Sequence, residues 1–229
     1  MKKQTRPGER EYNYARFDPA CFTFHPFSGP KAGEPAVDFT VTDLRGNPVR
    51  LSDFRGKTVA LETISTTCPM YIKGIAEMNR LAERFPEAVF LTLYVREAHP
   101  GSRTPAHRSL EEKIACAKQL PALEQERRTI LVDDLEGSAH RAYGGLPNMI
   151  YVIDPGGTVI FRSDWRVTAE VEKVLTAGAD AVFDKEHFEP LRPSLRVMLR
   201  TFLRGGWDAI WDFVTALPKL LALRMKGHI

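Results

Sequence analysis

The pattern of apolar and polar positions changes character near residue 35. Before that point charge, aromatics and turn formers follow one another without a period, as in Phe24-His25-Pro26-Phe27-Ser28-Gly29-Pro30. Residues 1–35 therefore read as an irregular arm whose aromatics pack on a neighbouring domain. From Ala36 the pattern is regular. Residues 36–41 and 48–51 flank the turn formers Leu44-Arg45-Gly46-Asn47 and predict a β-hairpin. Residues 58–64 are an apolar run of strand length, and residues 71–85 repeat apolar positions at helical spacing (Ile72, Ile75, Ala76, Leu81, Ala82). A second strand is predicted over 88–95. A polar loop with Pro100, Gly101 and Pro105 then leads to a helix opened by Ser109, with Glu112 three residues on as a capping box.

This β-α-β-α run predicts a largely parallel sheet. Thr129–Val132 reads as a further strand and residues 135–143 as a short helix. Residues 149–153 and 158–161 read as an antiparallel hairpin across Asp154-Pro155-Gly156-Gly157, and Thr168–Ala177 as the last helix of the domain. The expected organisation is an arm over 1–35, one α/β domain over 36–178, and a helical tail over 179–229.

The tail differs from the rest. Residues 191–229 hold seven Lys or Arg against two Asp, a local surplus of five, whereas the whole chain carries only +3. Trp207, Ile210, Trp211, Val214 and Leu217 fall on one helical face. Such a stripe fits packing on its own domain or on a second copy in a homodimer, and peripheral contact with an anionic membrane is the alternative. Asp208, Asp212 and Pro218 argue against a membrane span.

Bulk composition narrows the classes. With 43% apolar and 27% charged residues in 229, the chain is globular, and a net +3 is too small to argue for nucleic acid. The three cysteines, Cys21, Cys68 and Cys116, are widely spaced and odd in number. That excludes a disulfide scaffold and a Cys-x-x-Cys zinc pattern, so no metal is expected and at least one thiol stays free. The polar start, Met1-Lys2-Lys3-Gln4, argues against a secretory signal, and a reducing cytoplasm is the expected compartment.

Among these cysteines Cys68 is the chemical candidate. It falls between the end of a buried strand and the start of a helix, in Ser65-Thr66-Thr67-Cys68-Pro69, where unpaired helical N–H groups favour a thiolate. Ser65 and Thr67 are expected to donate hydroxyl hydrogen bonds to its sulfur. Cys21 and Cys116 read as core residues. The loop after the second strand supplies Glu97, His99 and His107, and both loops follow strand ends, where parallel α/β sheets place function. A histidine there could move protons, with the carboxylate orienting it.

Four blocks carry a family resemblance: Ser65 to Pro69, Tyr94-Val95-Arg96-Glu97-Ala98-His99-Pro100, Pro105-Ala106-His107-Arg108-Ser109-Leu110-Glu111, and Tyr143-Gly144-Gly145-Leu146-Pro147. With them the chain resembles the iodothyronine deiodinases, selenoenzymes of thioredoxin fold, while Gly33-Glu34-Pro35-Ala36-Val37-Asp38-Phe39 through Leu51-Ser52-Asp53-Phe54-Arg55-Gly56-Lys57 resembles the start of the wider redoxin and peroxiredoxin group. The resemblance implies a thioredoxin fold extended by the N-terminal hairpin and the C-terminal helical tail. It places Cys68 at the selenocysteine position, Ser65 and Thr67 beside it, His99, His107 and Glu97 in the active site, Arg166 (with Arg162 as competitor) at a substrate-binding arginine, and Pro147 at the cis-proline facing the nucleophile. Thr66 stands where the family often has cysteine, and no cysteine lies near 127–129, where a regenerating one would be expected. External thiol is therefore the implied reductant, with no bound cofactor.

Three functions follow as expectations. The first is reductive dehalogenation of an iodothyronine-like aromatic substrate by Cys68. The second is a one-cysteine peroxiredoxin or thiol-disulfide reductase acting on peroxide or disulfide: Ser65 matches the hydroxyl residue three before that thiol, whereas Leu61 stands where that pattern has proline. The third is a redoxin-fold binding module without turnover.

Overall fold

A computed structural model of the chain describes residues 12–22, 28–178, 183, 188 and 192–225. Seven strands, β1 (Thr40–Asp43), β2 (Pro48–Arg50), β3 (Val59–Ile64), β4 (Val89–Tyr94), β5 (Thr129–Val132), β6 (Ile150–Ile153) and β7 (Val159–Ser163), form one sheet in the order β2-β1-β5-β4-β3-β6-β7. The helices are α1 (Pro69–Arg84), α2 (Leu110–Ala117), α3 (Leu120–Glu124), α4 (Ser138–Ala142), α5 (Thr168–Ala177), α6 (Leu195–Gly205) and α7 (Trp207–Met225).

Only the centre, β3-β4-β5, is parallel. Both flanks are antiparallel, so the sheet is mixed rather than largely parallel. Each hairpin makes its own two strands antiparallel, and the strand by which it joins the centre, β1 beside β5 and β6 beside β3, also runs against its neighbour. Strand β1 also begins later than the sequence pattern suggests. Ala36 instead donates its N–H to Gly157 and Pro35 bridges to Thr158, which ties the chain to the β6–β7 turn before it joins β1. At α2, Ser109 caps Glu112 N–H as expected, but the Glu112 carboxylate accepts from Arg108 N–H, one residue before the cap.

Strand alternation divides the core between two faces. Leu61, Leu91, Leu93 and Leu131 point to one, packed with Ala139, Tyr143 and Tyr151. Ala60, Ile64, Phe90, Tyr94, Ile130 and Val132 point to the other, under α1, α2, α3 and α5. Glu62 shares this second face and is fully buried. A charge in the sheet centre needs partners. Its carboxylate lies 2.5 Å from Arg128 Nη1 and 2.9 Å from Arg166 Nε, and it accepts from Asn148 Nδ2 at 2.8 Å. Arg128 in turn grips Glu126, whose carboxylate accepts from the Tyr71 hydroxyl at 2.7 Å.

Arg166 reaches Glu62 across α1 at Gly74. A Cβ built there would stand 1.4 Å from Arg166 Nη2. Gly74→Ala should therefore destabilise the protein by about 1–3 kcal/mol through overpacking, although alanine improves helix propensity by about 1 kcal/mol. A urea titration checks this, and a stabilised variant would contradict the packing described.

Candidate functional site

Cys68 is the N-cap of α1, held where β3 ends, and it is 3% exposed. Pro69 at the first helical position needs no N–H partner. The main-chain N–H groups of Tyr71 and Met70 favour the thiolate, as the helix start predicts, but burial outweighs them. With Glu62 and Glu97 adding repulsion, the Cys68 thiol is pushed up to about 11. The hydroxyls of Ser65 and Thr67 do not serve the sulfur as expected. Ser65 Oγ accepts from Ala98 N–H at 3.2 Å, and the Thr67 hydroxyl donates to Glu97.

Glu97 is the organising group. Its buried carboxylate accepts from Thr66 N–H (3.3 Å) and hydroxyl (2.8 Å), from Thr67 N–H (2.8 Å) and hydroxyl, and from the Tyr94 hydroxyl. These donors pin the two residues before Cys68 to the end of β4. Tyr94 has a single proton, given to Glu97, so its oxygen accepts from His107 Nε2–H at 2.8 Å. His107 is thereby linked to Glu97 through Tyr94, with 3.9 Å between Nε2 and the carboxylate. Burial lowers the His107 pKa, and Glu97 partly offsets it.

His99 behaves differently from the sequence expectation. Its main-chain N–H donates to Thr67 Oγ1 at 3.0 Å, which joins the two loops. Its ring, however, is enclosed by Phe17 (4.3 Å between centroids), Phe202 (4.8 Å) and Phe213 (5.7 Å), and Nδ1 has no hydrogen-bond partner. Glu97 does not orient it. Burial lowers its pKa to about 3, so the ring is neutral.

The cover over this site comes from both chain ends. Arg204 Nη1 donates to Thr66 O at 3.0 Å, and Gly205 O accepts from Arg103 N–H at 2.9 Å. Asp208 accepts from Ser102 N–H and hydroxyl, and Arg16 pairs with Asp212 through two 2.5 Å contacts. The arm packs as its aromatics predict: Tyr12, Tyr14 and Phe22 surround the Arg96 guanidinium at 4.9–5.1 Å. Phe24 and Phe27 lie outside the described residues. Of the packings expected for the tail stripe, the one on its own domain is not made. Helix α7 meets the domain through Ala209, Phe213 and Ala216, while Trp207, Trp211, Val214 and Leu217 are exposed. Small residues allow the close approach that the larger stripe would block.

Pro147 is half-buried in a segment tied to the end of β3. Leu146 O accepts from the Thr63 hydroxyl (3.2 Å) and His140 Nε2–H (2.7 Å), and Met149 N–H donates to Thr63 Oγ1. His140 Nδ1 accepts from the Tyr12 hydroxyl, so this histidine is a fully buried brace held neutral, its pKa lowered to about 3 by burial. Arg166 is 1% exposed and engaged by Glu62, Thr168 and Met70 O, which places it beneath the first turn of α1. Arg162 donates to Gly29 O and Pro30 O. Sequence reasoning missed Tyr94, Glu62, Glu126 and Arg128; a glutamate inside the apolar run 58–64 was the signal that a buried counter-charge exists.

The depressed histidines set an acid limit. Unfolding lets His140 return to its ordinary value of 6.5, so its contribution to stability is full above that pH and is lost as pH falls toward 3. Between about pH 7.5 and about pH 5 the loss should be about 2 kcal/mol from His140, with His99 acting in the same direction. Urea titrations at the two pH values test it; equal midpoints would contradict the burial.

Glu97, His107 and Cys116 offer ligand atoms within 4.8 Å of one another. The Glu97 oxygens already receive five N–H or O–H donors and the Cys116 thiol at 3.8 Å, and Tyr94 bridges to His107, so the group is built as a hydrogen-bond network rather than a metal cradle. Cys116 Sγ lies 3.7 Å from Thr66 Oγ1, half-buried at the edge of this network.

Comparison with solved structures shows the thioredoxin fold. A conserved protein of Geobacillus kaustophilus matches with a TM-score of 0.55 at 19% identity, covering 70% of this chain and 94% of that one. A Chlorobium tepidum protein described as thiol:disulfide interchange protein DsbE gives a TM-score of 0.52 at 20% identity, covering 65% and 98%. Among curated proteins, type I iodothyronine deiodinase of Xenopus laevis is 28% identical over 135 residues, 54% of this chain and 53% of that protein. Thyroxine 5-deiodinase of Sus scrofa is 31% identical over 108 residues, 43% and 35%. The chain thus spans about half or less of the length of these relatives. The family model for iodothyronine deiodinase matches residues 20–169, a stretch that holds Cys68, Glu97, His99, His107, Pro147 and Arg166, and the chain belongs to the iodothyronine deiodinase family.

Proposed function

We propose that the chain is a thiol oxidoreductase that reductively removes halogen from an iodothyronine-like aromatic ring, with Cys68 as nucleophile. The observation that carries this reading is the Glu97 network, which links the residues preceding the thiol to Tyr94 and His107. The sulfur attacks iodine, the carbon–iodine bond breaks, and a sulfur–iodine bond forms. The ring carbon takes one proton. Because the resting thiol is protonated, thiol and aryl iodide give sulfenyl iodide and arene without net proton uptake. We assign the return of a proton to carbon to His107 and Tyr94, the proton-bearing members of the network. His99, neutral and ringed by aromatics, suits a contact with an aromatic substrate better than proton transfer. An external thiol displaces iodide from sulfur as a mixed disulfide, and a second thiol releases Cys68.

The test is iodide release from an iodothyronine with dithiothreitol, run beside hydrogen peroxide consumption, for the native chain and Cys68→Ser. Iodide release that disappears in the variant is the expected result. Peroxide consumption alone would replace this reading with the one-cysteine peroxidase, and no Cys68-dependent reaction of either kind would leave a binding module.

A further inference from the structure

Ten large apolar side chains stand exposed on the described surface, and eight of them belong to α6 and α7. On α7 they recur at Trp207, Trp211, Val214, Leu217, Leu221 and Met225, in steps of three or four. They form one stripe along 19 residues, roughly 28 Å of helix. Trp207, Trp211, Leu221 and Met225 are 69%, 66%, 60% and 84% exposed. Docking of α7 onto the domain is done by Ala209, Phe213 and Ala216, so the stripe takes no part in it. A continuous apolar stripe of this length marks an interaction face.

Charge selects what covers it. Residues 192–225 carry Arg192, Arg196, Arg200, Arg204, Lys219 and Arg224 against Asp208 and Asp212, six minus two, or +4. Both acids are engaged by the protein itself, Asp208 at Ser102 and Asp212 at Arg16, and so are three of the bases, Arg200 and Arg204 at Glu124 and Lys219 at Asp18; with these partners included the surface holds seven bases against four acids, or +3. Arg196 is exposed, and the Arg200 and Lys219 side chains stay exposed within their ion pairs to Glu124 and Asp18. A second copy docking through the same face by twofold symmetry would bring two basic surfaces together, which opposes association. An anionic surface meets the same residues with attraction. Tryptophan, with an apolar body and a polar N–H, settles at a water–hydrocarbon boundary. Among the described residues no helix is long and apolar enough to cross a membrane, so α7 suits the plane of the interface. We infer that α7 is a docking surface for an anionic lipid bilayer, its stripe entering the acyl boundary while the basic residues of the tail attract lipid phosphates. This inference is independent of the chemistry at Cys68.

The full chain is to be mixed with phosphatidylcholine vesicles with or without about one third phosphatidylglycerol, and followed by co-sedimentation and tryptophan emission. The expected partition onto the anionic vesicles is about tenfold stronger or more, with a blue shift and a decline as salt rises. Trp211→Ser with Leu221→Ser should lower it by about tenfold. Both sites are exposed, so the circular-dichroism melt should be unchanged. Arg196→Glu should weaken binding to anionic vesicles alone. The inference is overturned by equal binding to both vesicle types, by no binding, by binding that the stripe variants leave intact, or by a stripe-dependent dimer in ultracentrifugation without vesicle binding.

Discussion

Glu97→Ala should lower stability by about 4 kcal/mol, because it strands five buried donors at once. The two main-chain N–H groups matter most, since Thr66 and Thr67 cannot turn them elsewhere while α1 stays in place. The hydroxyls can partly re-pair with each other. Glu97→Gln keeps the shape but aims an NH2 group at donors, so it should fall between the native chain and the alanine variant. Urea unfolding measures both. A loss below about 1 kcal/mol for the alanine variant would mean that the carboxylate does not organise the loop before Cys68.

The second large effect concerns the pH dependence of Cys68. With its pKa pushed to about 11 by burial, only about one chain in ten thousand holds a thiolate at neutral pH. Alkylation of Cys68 by iodoacetamide should therefore accelerate about tenfold per pH unit from about pH 7 to about pH 10. Cys68→Ser supplies the background from Cys21 and Cys116. A plateau near neutrality would show a thiolate already present and defeat the burial argument. The same shift bears on stability in the opposite sense to the histidines. The raised thiol pKa stabilises the fold below the ordinary value of 9, and that contribution is lost as pH rises toward 11.

The central strands were legible because each is an apolar run closed by polar residues, and β5 and α5 coincide with their sequence boundaries. The residues that meet at the site were legible too, since Cys68 and Glu97 each follow the end of a parallel strand. Their bonding was not. The sequence reading gave the Ser65 and Thr67 hydroxyls to sulfur, yet a buried carboxylate with several acceptor positions is a stronger sink for O–H donors than a buried thiol. It paired Glu97 with a histidine directly and could not see Tyr94 between them. The aromatic enclosure of His99 was out of reach: Phe17 and Phe213 lie far from it in sequence and converge only through the tertiary fold. On α7 two apolar edges compete, and the one with the larger side chains was assigned to packing. Backbone proximity instead selected the edge with Ala209 and Ala216.

The clasp between Arg16 and Asp212 joins positions 196 residues apart. Its consequence lies in the order of synthesis. All of β3, α1 and the Glu97 loop leave the ribosome well before Phe202 and Phe213 exist. At ordinary elongation rates the interval between His107 and Phe213 is on the order of ten seconds. During it the His99 ring lacks two of the three aromatics that later enclose it and hold it neutral, so the newborn chain can carry a charge there that the finished one does not.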